Sequence, residues 1–265
     1  MTVREAIAVL TEAGVPSAEH DARALAAYAE STGVDFDTLV ARRAAREPLQ
    51  HLTGSVGFRY IDLFVGPGVF VPRPETEVVA GIAIDLARAA GSQPVVVDLC
   101  SGSGTLALSI ANEVPQAVVH AVELEPAALE WLVRNATARR AAGDTGIGVH
   151  QDDARQALPQ LDGTVDVVVS NPPYVAGHEM AAVDPEVRDH DPEVALVAGE
   201  DGLAVIRHVA ATAFRLLRPG GWVVVEHSDR QGETAPEVLR AAGFVDVDDS
   251  PDLTGRPRVA RGRRP

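Results

Sequence analysis

Short apolar runs alternate with stretches of helical periodicity along most of the chain, and this alternation predicts an α/β fold with a mainly parallel sheet. The runs are rich in valine, as in strands that are buried on both faces. The predicted strands span 94–99, 117–122, 147–150, 165–170 and 222–226, with two short ones near 244–247 and 258–260. Helices are predicted at 105–113, 203–217 and 235–241. The pattern therefore predicts a seven-stranded mixed sheet, with a turn at 219–221 before the fifth strand.

The first 50 residues follow a helical pattern. Thr2 and Glu5 have the spacing of a capping box, Ser17 precedes an alanine-rich amphipathic stretch, and a further short helix is predicted at 37–46. Alternation between 55 and 71, interrupted by a Gly-Pro-Gly at 66–68, predicts a hairpin, and Pro74 is predicted to begin a helix that ends near 90. We predict a helical domain (1–50), a hairpin linker (51–73) and a larger α/β domain (74–265).

A glycine-containing turn follows the first strand of the α/β domain. It consists of Cys100, Ser101, Gly102, Ser103 and Gly104, and a helix is predicted directly after it. Glycines let a ligand approach the backbone, and a helix N-terminus favours a carboxylate or a phosphate, so this order is typical of a nucleotide cradle. The third glycine of the dinucleotide fingerprint is absent, and the turn by itself leaves a dehydrogenase possible.

Acidic residues follow the next two predicted strands. Glu123 lies at the end of the second strand, where a carboxylate can accept hydrogen bonds from both ribose hydroxyls. Asp152 and Asp153 follow the third strand, where a carboxylate can meet an adenine amino group; we assign that role to Asp153. The structural alternatives are a solvated acid at a helix start for Glu123 and helix capping for the aspartates.

The fourth strand ends in Asn171, Pro172, Pro173 and Tyr174. The nitrogen of a carboxamide or nucleobase NH2 group is conjugated and attacks a methyl sulfonium poorly. The Asn171 side-chain oxygen and the Pro172 carbonyl can each accept one N–H, which orients the nitrogen, while Tyr174 offers a flat wall. The tetrad therefore predicts methylation of an NH2 group and a contact of Asn171 with the cofactor, although Asn-Pro and Pro-Pro also occur in ordinary turns.

The amino-acid composition restricts the ligands and the reaction types that this chain can accommodate. Formal net charge is −15, which disfavours nonspecific binding to nucleic acid or an anionic membrane. All 23 basic residues are arginine, so lysine-dependent Schiff-base and P-loop chemistry is excluded. Cys100 is the only cysteine and is interpreted as a small packing residue, and the eight histidines show no metal-ligand spacing. No signal peptide or membrane span is predicted, and we expect a cytoplasmic protein without a metal.

Four motifs together resemble the peptide chain release factor N5-glutamine methyltransferases. They are REPLQHLTG (46–54), VPRPETE (71–77), DLCSGSG (98–104) and SNPPY (170–174), and the resemblance extends to 195–203 and 252–256. The first two motifs separate this family from nucleic-acid methyltransferases, which share the glycine turn and the tetrad. The resemblance implies a class I Rossmann-like methyltransferase domain that uses S-adenosyl-L-methionine and follows a small helical domain.

The same resemblance implies a substrate and roles for the site residues. The helical domain would engage class I release factors, and the glutamine of their Gly-Gly-Gln loop would be methylated. The residues from Cys100 to Gly104 would line the methionine end, Glu123 would hold the ribose, and the tetrad would hold the glutamine amide. The chain departs from the family at Ala154, where an aromatic residue often stacks on adenine. An N6-adenine or N4-cytosine methyltransferase and a non-catalytic adenosyl-binding module are the competing hypotheses.

Overall fold

The computed structural model describes residues 1–265 and contains ten α-helices and nine strands. The helices are α1 (Val3–Glu12), α2 (Ala18–Thr32), α3 (Phe36–Ala44), α4 (Leu49–Thr53), α5 (Thr76–Ala90), α6 (Thr105–Glu113), α7 (Pro126–Ala141), α8 (Pro185–His190), α9 (Ala204–Leu216) and α10 (Thr234–Ala241). The strands are β1 (Ser55–Phe58), β2 (Ile61–Phe64), β3 (Val95–Leu99), β4 (Val118–Glu123), β5 (Gly148–Gln151), β6 (Val165–Ser170), β7 (Leu217–Glu226), β8 (Val245–Pro251) and β9 (Pro257–Arg263).

The four N-terminal helices share a hydrophobic core of their own, which includes Leu10, Leu25 and Leu39. The predicted capping box is present at the start of α1, where Thr2 and Glu5 satisfy each other's backbone N–H groups. Residues of α4 complete this core, so the helical packing extends to Thr53.

The hairpin is shorter than predicted. It consists of β1 and β2, joined at Arg59 and Tyr60, so the Gly-Pro-Gly at 66–68 lies after the hairpin and not within it. Arg59 adopts a positive φ of 49°, and its guanidinium is held by an ion pair with Glu113. Gly66 has another function: a Cβ there would lie 2.6 Å from the Trp131 ring, so it permits close packing against α7.

The α/β domain has the predicted seven-stranded mixed sheet, in the order β5-β4-β3-β6-β7-β9-β8. The first five strands in this order pair in parallel, and β9 pairs antiparallel with both β7 and β8. Helices α5 and α6 contribute to the core on one face of the sheet, and α9 and α10 to the core on the other. This is a Rossmann-like three-layer arrangement.

Several element boundaries differ from the sequence-based expectation: β8 and β9 are longer than predicted, and two other differences have a local cause. Helix α5 begins at Thr76 and not at Pro74, because the residues from Arg73 onward first form a tight turn in which the Thr76 N–H donates to the Arg73 carbonyl. The predicted turn at 219–221 lies inside β7, where Gly220 has a φ of 83° and the pairing with β6 is irregular.

The order in which the chain enters the strands of the sheet determines where the candidate site lies. The chain leaves β3 toward β4 and β5 on one side, then returns to β6 on the other side, so the carboxyl ends of β3 and β6 are neighbours at a topological switch point. Leu99 pairs with Ser170, and the Ser170 hydroxyl donates to the Leu99 carbonyl at 2.6 Å. The glycine turn and the Asn171 tetrad therefore emerge side by side.

No helix combines the length and apolar character needed to cross a membrane.

Candidate active site

A cavity of about 760 Å³ opens at the carboxyl ends of β3, β4, β5 and β6. Its size is within the range of small-molecule sites. Nearly all the sequence-predicted site residues line it: Cys100, Ser101, Gly102, Ser103, Glu123, Asp153, Asn171, Pro172, Pro173 and Tyr174. Four separate strand ends thus contribute to one cavity, as expected from a parallel sheet.

Gly104 is the predicted residue that does not line the cavity. It has a φ of 88°, and a Cβ on it would lie 2.6 Å from Leu132 and 3.0 Å from Leu108. Gly104 therefore allows the start of α6 to pack closely against α7, and its contribution to the site is indirect.

The rest of the turn is held in place by backbone bonds to the next strand end. The Ser101 N–H donates to the Val122 carbonyl at 3.0 Å, and the Gly102 N–H donates to a Glu123 carboxylate oxygen at 2.7 Å. The N-terminus of α6 follows directly and favours a negatively charged group at this end of the cavity.

Cys100 behaves as the packing residue that was predicted. Burial, together with the nearby Glu123 and Asp98 side chains, raises the pKa of its thiol to about 12. A thiol with so high a pKa carries almost no thiolate at neutral pH, so Cys100 is unsuited to act as a nucleophile.

Glu123 is a buried carboxylate in the cavity wall. Burial raises its pKa, while hydrogen bonds from the backbone N–H groups of Glu125 and Gly102 oppose that effect. Each of its oxygens retains a further lone pair for an external donor. A glycine turn, a helix N-terminus and a buried carboxylate at the next strand end fit the methionine, carboxylate and ribose groups of an adenosyl cofactor.

We expect Glu123→Ala to weaken S-adenosyl-L-methionine binding by roughly 1.5–3 kcal/mol, the range for hydrogen bonds to charged groups. Titration calorimetry measures this directly. Glu130→Ala is the matched control, because Glu130 is exposed on α7 and does not line the cavity. Equal affinity in the two variants would place the ribose elsewhere.

Asp153 lies in the cavity wall, but its carboxylate is engaged by the guanidinium and backbone N–H of Arg155. These contacts lower its pKa, with the Arg155 side chain as the largest cause. The neighbouring Asp152 also lines the cavity, and Ala154 contributes no aromatic ring. The adenine contact of Asp153 stays a prediction.

The tetrad presents unoccupied acceptors. The Asn171 side-chain nitrogen donates to the Thr76 hydroxyl at 3.2 Å, which leaves the Asn171 amide oxygen free. The Pro172 carbonyl accepts no hydrogen bond from the protein. Two contacts hold Tyr174 in place. Its hydroxyl lies 3.4 Å from the Glu226 carboxylate, and its backbone carbonyl accepts a hydrogen bond from the Gln231 side chain at 3.2 Å.

Several residues that line the cavity were not identified from the sequence. Thr76 and Glu226 line it beside the tetrad, Arg258 reaches it from β9, and Pro16 and Arg46 reach it from the helical domain. Glu226 ends β7 and could have been found by the strand-end rule that identified Glu123. Arg46 and Thr76 lie in two of the motifs described above, but no local pattern indicates that they, Pro16 or Arg258 reach the cavity.

The family and fold comparisons agree with this geometry. A family profile described as "Methyltransferase small domain" matches residues 76–187. Among solved structures, M. jannaschii TYW2 in complex with AdoMet aligns with a TM-score of 0.51 at 15% identity, covering 79% of this chain and 84% of that one. The family profile and the fold together indicate the class of protein, a class I, Rossmann-like methyltransferase.

Relatives that match this chain over nearly its full length show which family it belongs to. A release factor glutamine methyltransferase of Streptomyces coelicolor is 52% identical over 99% of this chain and 96% of its own length. One of Bifidobacterium longum is 42% identical over 97% and 96%. The chain belongs to the release factor glutamine methyltransferase family. A 4-amino-L-phenylalanine/4-methylamino-L-phenylalanine methyltransferase of Streptomyces pristinaespiralis is also similar, at 43% identity over 90% of this chain and 86% of its own.

Proposed function

We propose that this chain transfers a methyl group from S-adenosyl-L-methionine to the side-chain amide nitrogen of the Gly-Gly-Gln glutamine in class I peptide chain release factors. The observation that carries the proposal is the pair of free acceptors at Asn171 and Pro172, in a cavity that also contains the glycine turn and Glu123. Full-length similarity to release factor glutamine methyltransferases selects the substrate among NH2-bearing molecules.

The tetrad residues would orient the amide for attack. Bound S-adenosyl-L-methionine supplies an electrophilic methyl group. The Asn171 oxygen and the Pro172 carbonyl accept the two N–H bonds of the glutamine, which directs the nitrogen lone pair toward the donor and favours pyramidalisation. Tyr174 packs against the amide plane. The methylated, cationic amide is acidic enough to lose its proton to water, so the chemistry needs no dedicated base.

Charge favours a protein substrate over a nucleic acid. The chain carries a formal net charge of −15, and most of its arginines form ion pairs with carboxylates. Few arginines are therefore left to neutralise phosphates. Affinity for nucleic acid depends mainly on that neutralisation. A Gly-Gly-Gln loop is flexible and narrow, and its glycines let the backbone enter the cavity with the glutamine.

The arylamine methyltransferase relative supports a second candidate, because an amino group on a benzene ring is also a conjugated NH2. The tetrad accepts either group. What distinguishes them is size: a free amino acid needs only the cavity, whereas a release factor also needs a docking surface.

Transfer of radiolabelled methyl from S-adenosyl-L-methionine distinguishes the candidates. We expect label in a class I release factor, no label in its Gln→Ala or Gln→Glu loop variants, and none in duplex or single-stranded DNA or in 4-amino-L-phenylalanine. Label in DNA or in the free amino acid, with an unlabelled release factor, would overturn the proposal.

We also propose that the helical domain, residues 1–50, contributes to recognition of the protein substrate. Two of its residues, Pro16 and Arg46, reach the cavity wall. Its buried Arg43 donates to Asp21 of α2 and to Glu186 of α8, and Arg46 donates to the Gly14 carbonyl and to Asp184. These hydrogen bonds connect the helical domain to the segment that follows the tetrad. That segment borders the cavity mouth.

We expect Arg46→Ala to raise KM for the release factor at least fivefold while leaving S-adenosyl-L-methionine affinity unchanged, because it loosens the cavity mouth without touching the cofactor end. Steady-state kinetics and calorimetry measure the two effects. Arg23→Ala is the matched control: Arg23 pairs with Glu19 on the exposed surface of the same domain. An unchanged KM in Arg46→Ala would limit the domain to a stabilising function.

A further inference from the structure

Arg73 is a cationic side chain of the cavity wall that the mechanism above does not use. It lies in the turn before α5, and its backbone carbonyl accepts a hydrogen bond from the Thr76 N–H at 3.1 Å. The Thr76 hydroxyl accepts from the Asn171 side chain at 3.2 Å. Because Thr76 contacts both residues, Arg73 lies on the side of the cavity that contains the tetrad.

Two contacts fix the direction of the Arg73 guanidinium. Its Nη2 atom donates to the Asp191 carboxylate at 2.8 Å, and the Asp191 side chain is fully buried. Its central carbon lies 5.1 Å from the centroid of the Phe70 ring, within the range of a cation–π contact. A guanidinium is planar, so a carboxylate at one edge and a ring against one face determine where its other N–H groups point. Arg73 is therefore pre-organised.

The remaining donors of Arg73 are free. Its Nε and Nη1 atoms donate to no acceptor in the protein. Unlike the Nε atom of Arg258, which is buried without a partner, these two atoms are open to solvent. Since Arg73 lines the cavity, they are available to a molecule that enters it. A guanidinium has donors only, so it selects an oxygen acceptor.

A Gly-Gly-Gln loop offers such an acceptor next to the glutamine. Its two glycines have no side chains, so the groups available for recognition are peptide N–H groups and carbonyl oxygens. A carbonyl that leaves water to enter a cavity needs a new donor, because an unpaired buried polar group is costly. The tetrad supplies acceptors for the glutamine amide and no donor for the backbone.

We propose that the Nε and Nη1 groups of Arg73 bind a backbone carbonyl oxygen of the Gly-Gly segment and anchor the loop while its glutamine occupies the tetrad. This inference rests on the proposed function. It makes Arg73 a substrate-binding residue and gives Asp191 the function of orienting it. It also gives a function to the arginine of the motif at 71–77.

The carboxylate of S-adenosyl-L-methionine is the other oxygen acceptor expected in this cavity. Its favourable position is the glycine turn and the N-terminus of α6, at the end of β3. Arg73 instead precedes α5, and its charge acts on the tetrad. Burial raises the pKa of the Tyr174 hydroxyl, and the charges of Arg258 and Arg73 oppose that rise. The location of Arg73 therefore favours the substrate as its ligand.

The kinetic test uses the full chain and a class I release factor. Arg73→Lys keeps a cation beside Asp191 but loses the planar fork. We expect KM for the release factor to rise at least about fivefold and kcat to stay within about threefold, as when a charged hydrogen bond that contributes uniform binding is lost. The melting temperature and the cofactor dissociation constant should be unchanged.

Steady-state kinetics, thermal melting and titration calorimetry measure these effects. Arg188→Lys is the matched control, because Arg188 pairs with Asp189 in α8 and does not line the cavity. An unchanged KM in Arg73→Lys would overturn the proposal. Weaker binding of S-adenosyl-L-methionine with an unchanged KM would also overturn it, and would assign Arg73 to the methionine carboxylate.

A second measurement observes Arg73 directly and needs no methyl transfer. The Arg73 Nε–H signal, identified by its absence in Arg73→Lys, should shift in ¹⁵N–¹H spectra when a class I release factor is added to the enzyme saturated with S-adenosyl-L-homocysteine. An unshifted signal with a release factor that calorimetry shows to be bound would sink the carbonyl subsite. A bound factor that shifts the signal but takes up no label would instead sink the proposed methyl acceptor and leave the subsite standing.

Discussion

Asn171→Ala is expected to lower kcat at least tenfold, equivalent to about 1.4 kcal/mol of activation free energy. The substitution removes the side-chain acceptor that orients the substrate nitrogen and leaves only the Pro172 carbonyl. It also leaves the Thr76 hydroxyl without its donor at 3.2 Å. Because the side chain ends in a cavity, its loss should change the melting temperature little, and the cofactor dissociation constant should change less than kcat.

Single-turnover methylation of a class I release factor measures the effect on the chemical step. Asn112→Ala is the matched control, since Asn112 donates to Asp144 and does not line the cavity. A normal single-turnover rate in Asn171→Ala would contradict the amide-orienting mechanism, whatever the identity of the substrate.

The arrangement of the site was largely predictable because a parallel sheet places all its strand ends at one edge. Glu123, Asp153 and Asn171 are far apart in sequence, yet each follows a predicted strand, and all three line one cavity. The pairing of Leu99 with Ser170 then brings the glycine turn next to the tetrad. The chemical roles assigned to these residues remain predictions.

The hairpin turn shows where local rules failed. Two-residue hairpin loops favour glycine or asparagine, because those residues tolerate a positive φ. Here Arg59 takes that conformation, stabilised by its ion pair with Glu113, a residue 54 positions away in the chain. A Gly-Pro-Gly nearby offered a better local signal, but Gly66 is required for contact with Trp131.

The acidic segment between β6 and α9 contains α8 and two short 3-10 turns, and backbone hydrogen bonds between Val175 and the 196–198 stretch join its two ends. Its acidic residues are partners for arginines elsewhere: Glu186 for Arg43 and Asp191 for Arg73. Such pairings depend on tertiary contacts, which no local pattern encodes.

Gly202 lies at the end of that segment and packs against the backbone of Tyr174. A side chain at this position should have a large effect on stability and activity. Its φ is 70°, and a Cβ would lie well under 3.0 Å from the Tyr174 carbonyl oxygen and 2.8 Å from the Gln231 side-chain nitrogen. Gln231 donates to the carbonyls of both Tyr174 and Gly202 at 3.2 Å, so the added carbon would intrude on this bridge. The backbone of the tetrad would have to move.

We expect Gly202→Ala to lower the free energy of unfolding by roughly 2–5 kcal/mol, from left-handed backbone strain and overpacking together. We also expect kcat to fall at least tenfold, because small displacements of positioning groups are costly. Gly163→Ala is the matched control: Gly163 has the same φ of 70° but no atom within 4 Å of an added Cβ, so it reports strain alone. Urea denaturation and methylation kinetics of both variants give the difference. If the two variants lose equal stability and both retain kcat, the close approach of Gly202 to Tyr174 does not hold the tetrad in position.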